Sequence, residues 1–421
     1  MNRKLFVFLI VITLFSLLIR LYRLPEPNHY YFDEVYHVVT ARSYAANNAA
    51  AYDPFAPPPE EKTAYDWLHP PLAKLIQAAS IKILGDKPIF WRLPSTIFGT
   101  AIIPAVFVLS YLLFGPTAAI FSTLTIAFEN LNLVMSRITM NDIFVTFFIV
   151  VSFIFAVLYQ KRGGFKYLIT TSIFAGLAIA SKWTGIYALC VLTFYIFYFD
   201  LMRKTFKIRS LILFFIPAAI YVSSYGQFWL QGHTTGDFIN LHKQIWWYQN
   251  RHDLKHPYGT TAVYCMPNGL AGAKTFCPWI LDVKPVYFSY EQYGQKAGYI
   301  YALGNPLIYW FGTLAIIYLL RGLMIKRKKE FVLILIGYFI FWVPWIFSPR
   351  ILFMYHYLPS IPFLSIAIGL VLSKIWKRYR FLTVGVIVLF AVAFLYFYPI
   401  TSGFPIKTSS IDQYMWLKTW K

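Results

Sequence analysis

The sequence predicts an all-α polytopic membrane protein, and three observations carry that prediction. Of 421 residues, 58% are hydrophobic and 20% aromatic, while only 13% are charged, about half the level usual in soluble domains. Apolar runs long enough for a helix to cross a bilayer recur from one end of the chain to the other. The basic residues, 38 against 17 acidic ones, gather in short stretches between those runs. Charge placed in this way sets orientation in a membrane, so the net charge of +21 does not point to nucleic acid.

Eleven spans are expected, at roughly 4–22, 91–113, 116–130, 141–160, 165–181, 184–199, 210–225, 304–321, 331–347, 351–372 and 381–399. The first has Arg3 and Lys4 before it, as a signal peptide would, but no small-residue cleavage site follows, so it reads as a retained span. With the N-terminus inside and the sides alternating, every basic cluster falls on the inner face. These are Lys161/Arg162/Lys166, Arg203/Lys204/Lys207/Arg209, Arg321/Lys326/Arg327/Lys328/Lys329 and Lys374/Lys377/Arg378/Arg380. Outside lie a first loop (23–90), a second (226–303) and a tail (400–421). The chain thus divides into an N-terminal module (1–225), a loop subdomain (226–303) and a C-terminal four-span module (304–421).

The first outer loop carries Tyr31-Phe32-Asp33-Glu34-Val35-Tyr36-His37. In a helix, Glu34 and Asp33 share a face with His37, and such a cluster suits a base whose strength its neighbours tune. The plain alternative is two carboxylates at a helix N-terminus, favoured by the macrodipole. His69-Pro70-Pro71 follows, and then a short amphipathic helix with Leu72, Leu75, Ile76, Ala79 and Ile83 on one side and Lys74 and Lys82 largely on the other. That is the pattern of a helix lying in the membrane interface. The second loop has a similar stretch (Phe238, Leu241, Ile245, Tyr248) and then His256-Pro257-Tyr258.

Five cations break the inside pattern: Lys74, Arg92, Arg137, Lys182 and Arg350. Singly each reads as snorkelling at a helix end; as a set on the carboxylate side they suit a lipid phosphate. Cys190 lies in a span and is expected to be buried, whereas Cys265 and Cys277 share the second loop and are read as a disulfide, with two unpaired thiols as the alternative. A carboxylate beside an outer-face phosphate site fits transfer of a sugar from a polyprenyl-phosphate carrier. The carrier brings its own leaving group, cations meet the departing charge, and one carboxylate takes the acceptor's proton.

Six segments in order resemble the protein O-mannosyltransferases, glycosyltransferases of the GT-C membrane fold. Phe32-Asp33-Glu34-Val35 is similar to that family's acidic motif, and His69-Pro70-Pro71-Leu72-Ala73-Lys74 to its HPPLGK motif, with Ala73 replacing glycine. Arg92-Leu93-Pro94, Ser136-Arg137, Gly176 to Gly185 (GLAIASKWTG) and Tyr355-His356-Tyr357-Leu358-Pro359 also match. The resemblance implies an inverting enzyme moving mannose from polyprenyl-phosphate-mannose to Ser or Thr hydroxyls of secreted or membrane proteins, without a metal or other cofactor. It implies Asp33 as base, Glu34 as its partner and Arg92 as a site cation. Arg137, Lys182, Lys74 and Arg350 become candidates for the donor phosphate, and His37, His69, Trp183, His256, Tyr258 and His356 for substrate contact. The second loop is too short for the large domain that eukaryotic members carry there, which implies a bacterial or archaeal cell membrane with the site on the outer face. A related enzyme acting on a lipid or cell-wall glycan is the alternative. A transporter fits less well, because the notable charges lie at the surface rather than the midplane and no repeat is present.

The topology is testable by single-cysteine labelling with an impermeant reagent. Positions in 23–90 and 226–303 should react in intact cells, and labelling within the loop at 321–330 would overturn the orientation.

Overall fold

The computed structural model describes residues 2–203, 208–254, 256, 258–259 and 279–421. Its principal helices are α1 (Arg3–Leu21), α2 (Glu34–Ala45), α3 (Leu72–Leu84), α4 (Pro88–Phe114), α5 (Pro116–Ala127), α6 (Asn130–Met135), α7 (Asp142–Arg162) and α8 (Phe165–Ser181). They continue with α9 (Gly185–Met202), α10 (Ile212–Ser224), α11 (Gly226–Leu230) and α12 (Thr235–Gln249). After strands β1 (Val286–Tyr293) and β2 (Lys296–Ala302) come α13 (Pro306–Lys326), α14 (Lys329–Phe339), α15 (Ile361–Trp376) and α16 (Arg380–Ser402), with β3 (Ile406–Lys407) in the tail.

Among the described residues, seven helices are long and apolar enough to cross a membrane, and four more apolar helices are shorter. Three of the expected spans are not plain α-helix, and that at 210–225 begins within a 3-10 turn, Ile208–Leu211. The one at 331–347 stops being α-helical at Phe339 and continues as a 3-10 turn over Val343–Phe347, where Pro344 cannot donate to a helical ladder. The one at 351–372 opens with a 3-10 segment, Met354–Ser360, before α15.

By contacts the chain forms two compact units that interleave along the sequence rather than following its order. The smaller comprises Leu24–Phe98 and Ser136–Asp253; the larger comprises Met1–Arg23, Gly99–Met135 and Leu254–Lys421. In the larger unit, β1, β2 and β3 make an antiparallel sheet in that order, so the second loop and the tail are joined by strand pairing that helical periodicity does not foretell. In the same unit, Glu129 accepts the N–H groups of Leu131 (2.9 Å) and Asn132 (2.6 Å), satisfying the first donors of α6.

In the smaller unit, α8 packs between α7 and α10. Phe98 meets Phe144, Phe147 and Phe148 with ring centroids 4.7, 5.2 and 5.5 Å apart. A second core joins Val38, Val39 and Tyr44 of α2 to Ala78 and Ile81 of α3 and to Leu241 and Ile245 of α12. In α3 the apolar stripe does not divide buried from exposed residues: Leu72, Leu75 and Ile76 are partly buried and Lys82 is exposed. Ala73, Lys74, Gln77, Ala78 and Ile81 are buried, whereas Ala79 and Ile83 are exposed. An acidic partner for Lys74 and small residues facing α2 decide the inward side. Cys190 is likewise exposed rather than buried, because α9 presents it on its outer face. Cys265 and Cys277 lie outside the described residues.

The turn between α8 and α9 is tight. The Gly185 N–H donates to the Lys182 carbonyl (2.9 Å), and a Cβ at position 185 would stand 2.4 Å from the Ile179 nitrogen. Gly185→Ala should therefore lower stability by about 1–3 kcal/mol, the usual cost of overpacking, read as a lower unfolding temperature of the purified protein. An unchanged temperature would show that the turn relaxes freely.

Candidate active site

Asp33 and the groups around it belong to the smaller unit. Phe32 takes a left-handed backbone (φ +51°) immediately before Asp33, a conformation that bulky residues adopt only when their surroundings enforce it. Asp33 then occupies the N-cap position of α2, yet its side chain makes no capping bond. Capping is thus not what Asp33 does. The first turn instead closes through main-chain bonds, Glu34 N–H to Tyr31 O (3.1 Å) and His37 N–H to Asp33 O (3.0 Å).

Adjacent in sequence, Glu34 and Asp33 have unlike surroundings. Glu34 is fully buried, and Arg92 grips it with Nε to Oε1 at 2.9 Å and Nη2 to Oε2 at 2.8 Å. The Thr139 N–H donates to the same carboxylate (3.1 Å). The rest of the guanidinium serves the main chain, with Nη1 donating to the Leu24 and Pro27 carbonyls and Nη2 to that of His29, each at 3.0 Å. A guanidinium has five N–H groups, and these contacts engage all of its nitrogens. The pair braces the loop that carries Asp33.

Asp66, which sequence reasoning passed over, is the hub of the site. Its carboxylate lies 2.8 Å from His69 Nδ1, 3.1 Å from His37 Nδ1 and 2.9 Å from Lys74 Nζ. Lys74 donates as well to the carbonyls of Asp66 and His69, the latter at 3.1 Å. Its three protons thereby meet protein acceptors. Thr40 Oγ1 accepts the Asp66 N–H (2.7 Å), tying the loop to α2. Neighbouring positive charge holds the Asp66 carboxyl well below the usual carboxylate range against the opposing effect of burial. Burial pushes the His69 imidazole down to about 4, against the opposing pull of Asp66, which its Nδ1 faces.

A second pair stands at the mouths of α7 and α8, where Lys182 Nζ approaches Asp142 Oδ1 at 2.7 Å. Asn141, beside it, donates to Asp66 (3.4 Å). Asp33 sits within the field of these groups. Burial raises its carboxyl to about 6, with Asp66 and Asp142 adding to the rise and His37 and Lys182 opposing it. Arg137 is buried, and its carbonyl accepts the Tyr31 hydroxyl (2.9 Å). Trp183 donates from Nε1 to the Tyr221 hydroxyl (3.0 Å) and stacks on His242. Among the described residues no group of three or more His, Cys, Asp or Glu side chains is placed to hold a metal ion.

The remaining sequence candidates belong to the larger unit. His356 accepts the Phe353 N–H at Nδ1 (3.1 Å) and lies 4.6 Å from the Trp345 ring. His256 abuts Phe353, Tyr258 abuts Tyr287, and Arg350 is half-buried. Of the missed residues, Asp66 carried a faint signal, since it precedes His69 by three positions, and Asp142 stands where an apolar run begins.

The architecture is that of the GT-C membrane glycosyltransferases. The chain is similar over its whole length to 93% of a chain in the Saccharomyces cerevisiae protein O-mannosyltransferase Pmt1–Pmt2 complex bound to the sugar donor, with a TM-score of 0.78 at 14% identity. It also resembles ArnT from Cupriavidus metallidurans (TM-score 0.61, 13% identity, 93% of this chain and 76% of that one). The family model for dolichyl-phosphate-mannose-protein mannosyltransferase matches residues 10–231, and that for the C-terminal four-span region of protein O-mannosyltransferase matches 234–420. The chain belongs to the protein O-mannosyltransferase family. Curated relatives include the polyprenol-phosphate-mannose–protein mannosyltransferases of Corynebacterium glutamicum (24% identical, 84% of this chain and 81% of that protein) and Mycobacterium tuberculosis (22%, the same shares).

Removing one member of a buried ion pair strands the other charge, at a cost of about 3–5 kcal/mol. Arg92→Ala should therefore unfold at a much lower temperature than the parent protein. A variant as stable as the parent would return Arg92 to the substrate side of the site.

Proposed function

We propose that the chain transfers mannose from a polyprenyl-phosphate-mannose donor to serine or threonine hydroxyls of proteins, with Asp33 as general base. Family membership and the names of the relatives support the reaction. The observation that carries the assignment of the base is the unlike environment of the two adjacent carboxyls. Glu34 is consumed by Arg92, whereas burial and the acidic neighbours of Asp33 raise its carboxyl to about 6. A group with that value is ionised at neutral pH yet binds a proton far better than an ordinary carboxylate.

In the proposed step the acceptor oxygen attacks the anomeric carbon from the face opposite the phosphate. The carbon–oxygen bond to phosphate breaks, its electron pair leaves on the phosphate oxygen, and the hydroxyl proton passes to Asp33. Configuration inverts, and the products are a mannosylated side chain and polyprenyl phosphate. Arg137 and Lys182, the latter paired with Asp142 and bringing positive charge toward Asp33, are the cations we assign to the developing phosphate charge. Because those cations answer the leaving group's charge, the step as proposed requires no metal. His37 and His69 border the same space as substrate contacts, and the outer face of a bacterial or archaeal membrane is its proposed setting.

Asp33→Asn keeps the shape and removes the proton acceptor. Transfer to a serine-containing peptide should fall by about 100-fold or more, with donor affinity retained. The base acts when ionised, so kcat/KM of the parent enzyme should rise with pH through about 6 and level off above it. Near-normal turnover in Asp33→Asn would remove Asp33 from the chemistry. Labelled sugar appearing only on a lipid or glycan acceptor would replace the protein substrate.

A further inference from the structure

An aromatic strip runs from Trp67, beside Asp66, to the far end of α12. Tyr36 follows Asp33 by one turn, its N–H bonded to the Asp33 carbonyl (3.0 Å), and it is 42% exposed. Tyr248 belongs to α12 and is half-buried. Tyr248 also meets the ring of Trp67, the neighbour of Asp66, edge to face at 5.9 Å. On its other side it contacts Trp247 (6.5 Å), and Arg251 lies 5.3 Å from the centres of both rings. Asp253 fixes that guanidinium through Nε to Oδ1 at 2.8 Å. Trp247 remains 57% exposed on the rim of an open depression formed by the end of α12 and residues 250–253.

We infer that this strip is a binding surface for the acceptor polypeptide, occupied by an extended segment flanking the hydroxyl that reacts. The inference rests on the proposed reaction, because Trp67 and Tyr248 join the strip to the loop whose Asp66 contacts His37 on the helix that Asp33 begins. Flat aromatic faces held in place by a paired arginine offer large contact area at little entropic cost, and they suit peptide planes and small side chains of varied sequence. The Arg251–Asp253 pair is neutral overall, so the surface selects for extended backbone rather than for charge.

The test uses the full-length enzyme with polyprenyl-phosphate-mannose and a synthetic serine-containing peptide. Trp247→Ala and Arg251→Ala should each raise KM for the peptide by about tenfold, the scale of losing one aromatic anchor. Donor KM and kcat at saturating peptide should stay within twofold. Trp247→Phe, which keeps a ring, should recover most of the loss. Unchanged peptide KM in both alanine variants overturns the inference, and if those variants instead bind lipid vesicles more weakly, Trp247 is an anchor in the bilayer interface. A parent enzyme that transfers no mannose to peptide overturns the proposed reaction and this surface together.

Discussion

The fully buried pair of Glu34 and Arg92 is the constraint on which the rest of the site depends. A guanidinium taken out of water has to be neutralised and hydrogen-bonded throughout. Here one carboxylate and three carbonyls, those of Leu24, Pro27 and His29, meet that need. The arrangement ties the loop entering α2, the start of α4 and the Thr139 turn to a single point. Such pairs add little net stability compared with a well-packed apolar alternative. What this one supplies is position, because the start of α2 cannot shift without exposing a charge.

Position matters because the neighbouring residue has a different task. The same turn that buries Glu34 leaves Asp33 half-buried, facing His37 and the groups around Asp66 and Asp142. Asp66 organises that side through contacts to α2, α3 and the start of α7. Its negative charge also opposes ionisation of Asp33, so the network that fixes the geometry helps to set the strength of the base as well. Lys182, paired with Asp142, works in the opposite sense and brings positive charge close to Asp33.

How much of this was legible in the sequence follows from the range of the interactions. Hydrophobic runs and basic loops act locally, so the apolar helices lie where composition puts them, and the family motifs mark the right neighbourhoods. Partnership is a matter of tertiary distance, which composition does not contain. Arg92 and Lys74 were identifiable as unusual cations, but their carboxylate partners, at positions 34 and 66, come together only through folding. Asp66 sits in a loop of ordinary composition and shows its importance only when His37, His69 and Lys74 converge on it. The paired strands of the second loop and the tail lie more than a hundred residues apart at β2 and β3, beyond any local signal.

The central claim is that two adjacent carboxylates divide structure from chemistry, and unfolding temperatures of Glu34→Gln and Asp33→Asn in the same detergent at neutral pH test it most directly. Glu34→Gln strands the Arg92 charge and should unfold well below the parent. Asp33→Asn removes a carboxylate whose ionisation burial opposes, which relieves a cost that builds from about pH 4 and is complete above about pH 6. It should therefore unfold at the parent's temperature or above it. A Glu34→Gln variant as stable as the parent, beside a destabilised Asp33→Asn, would reverse the two assignments.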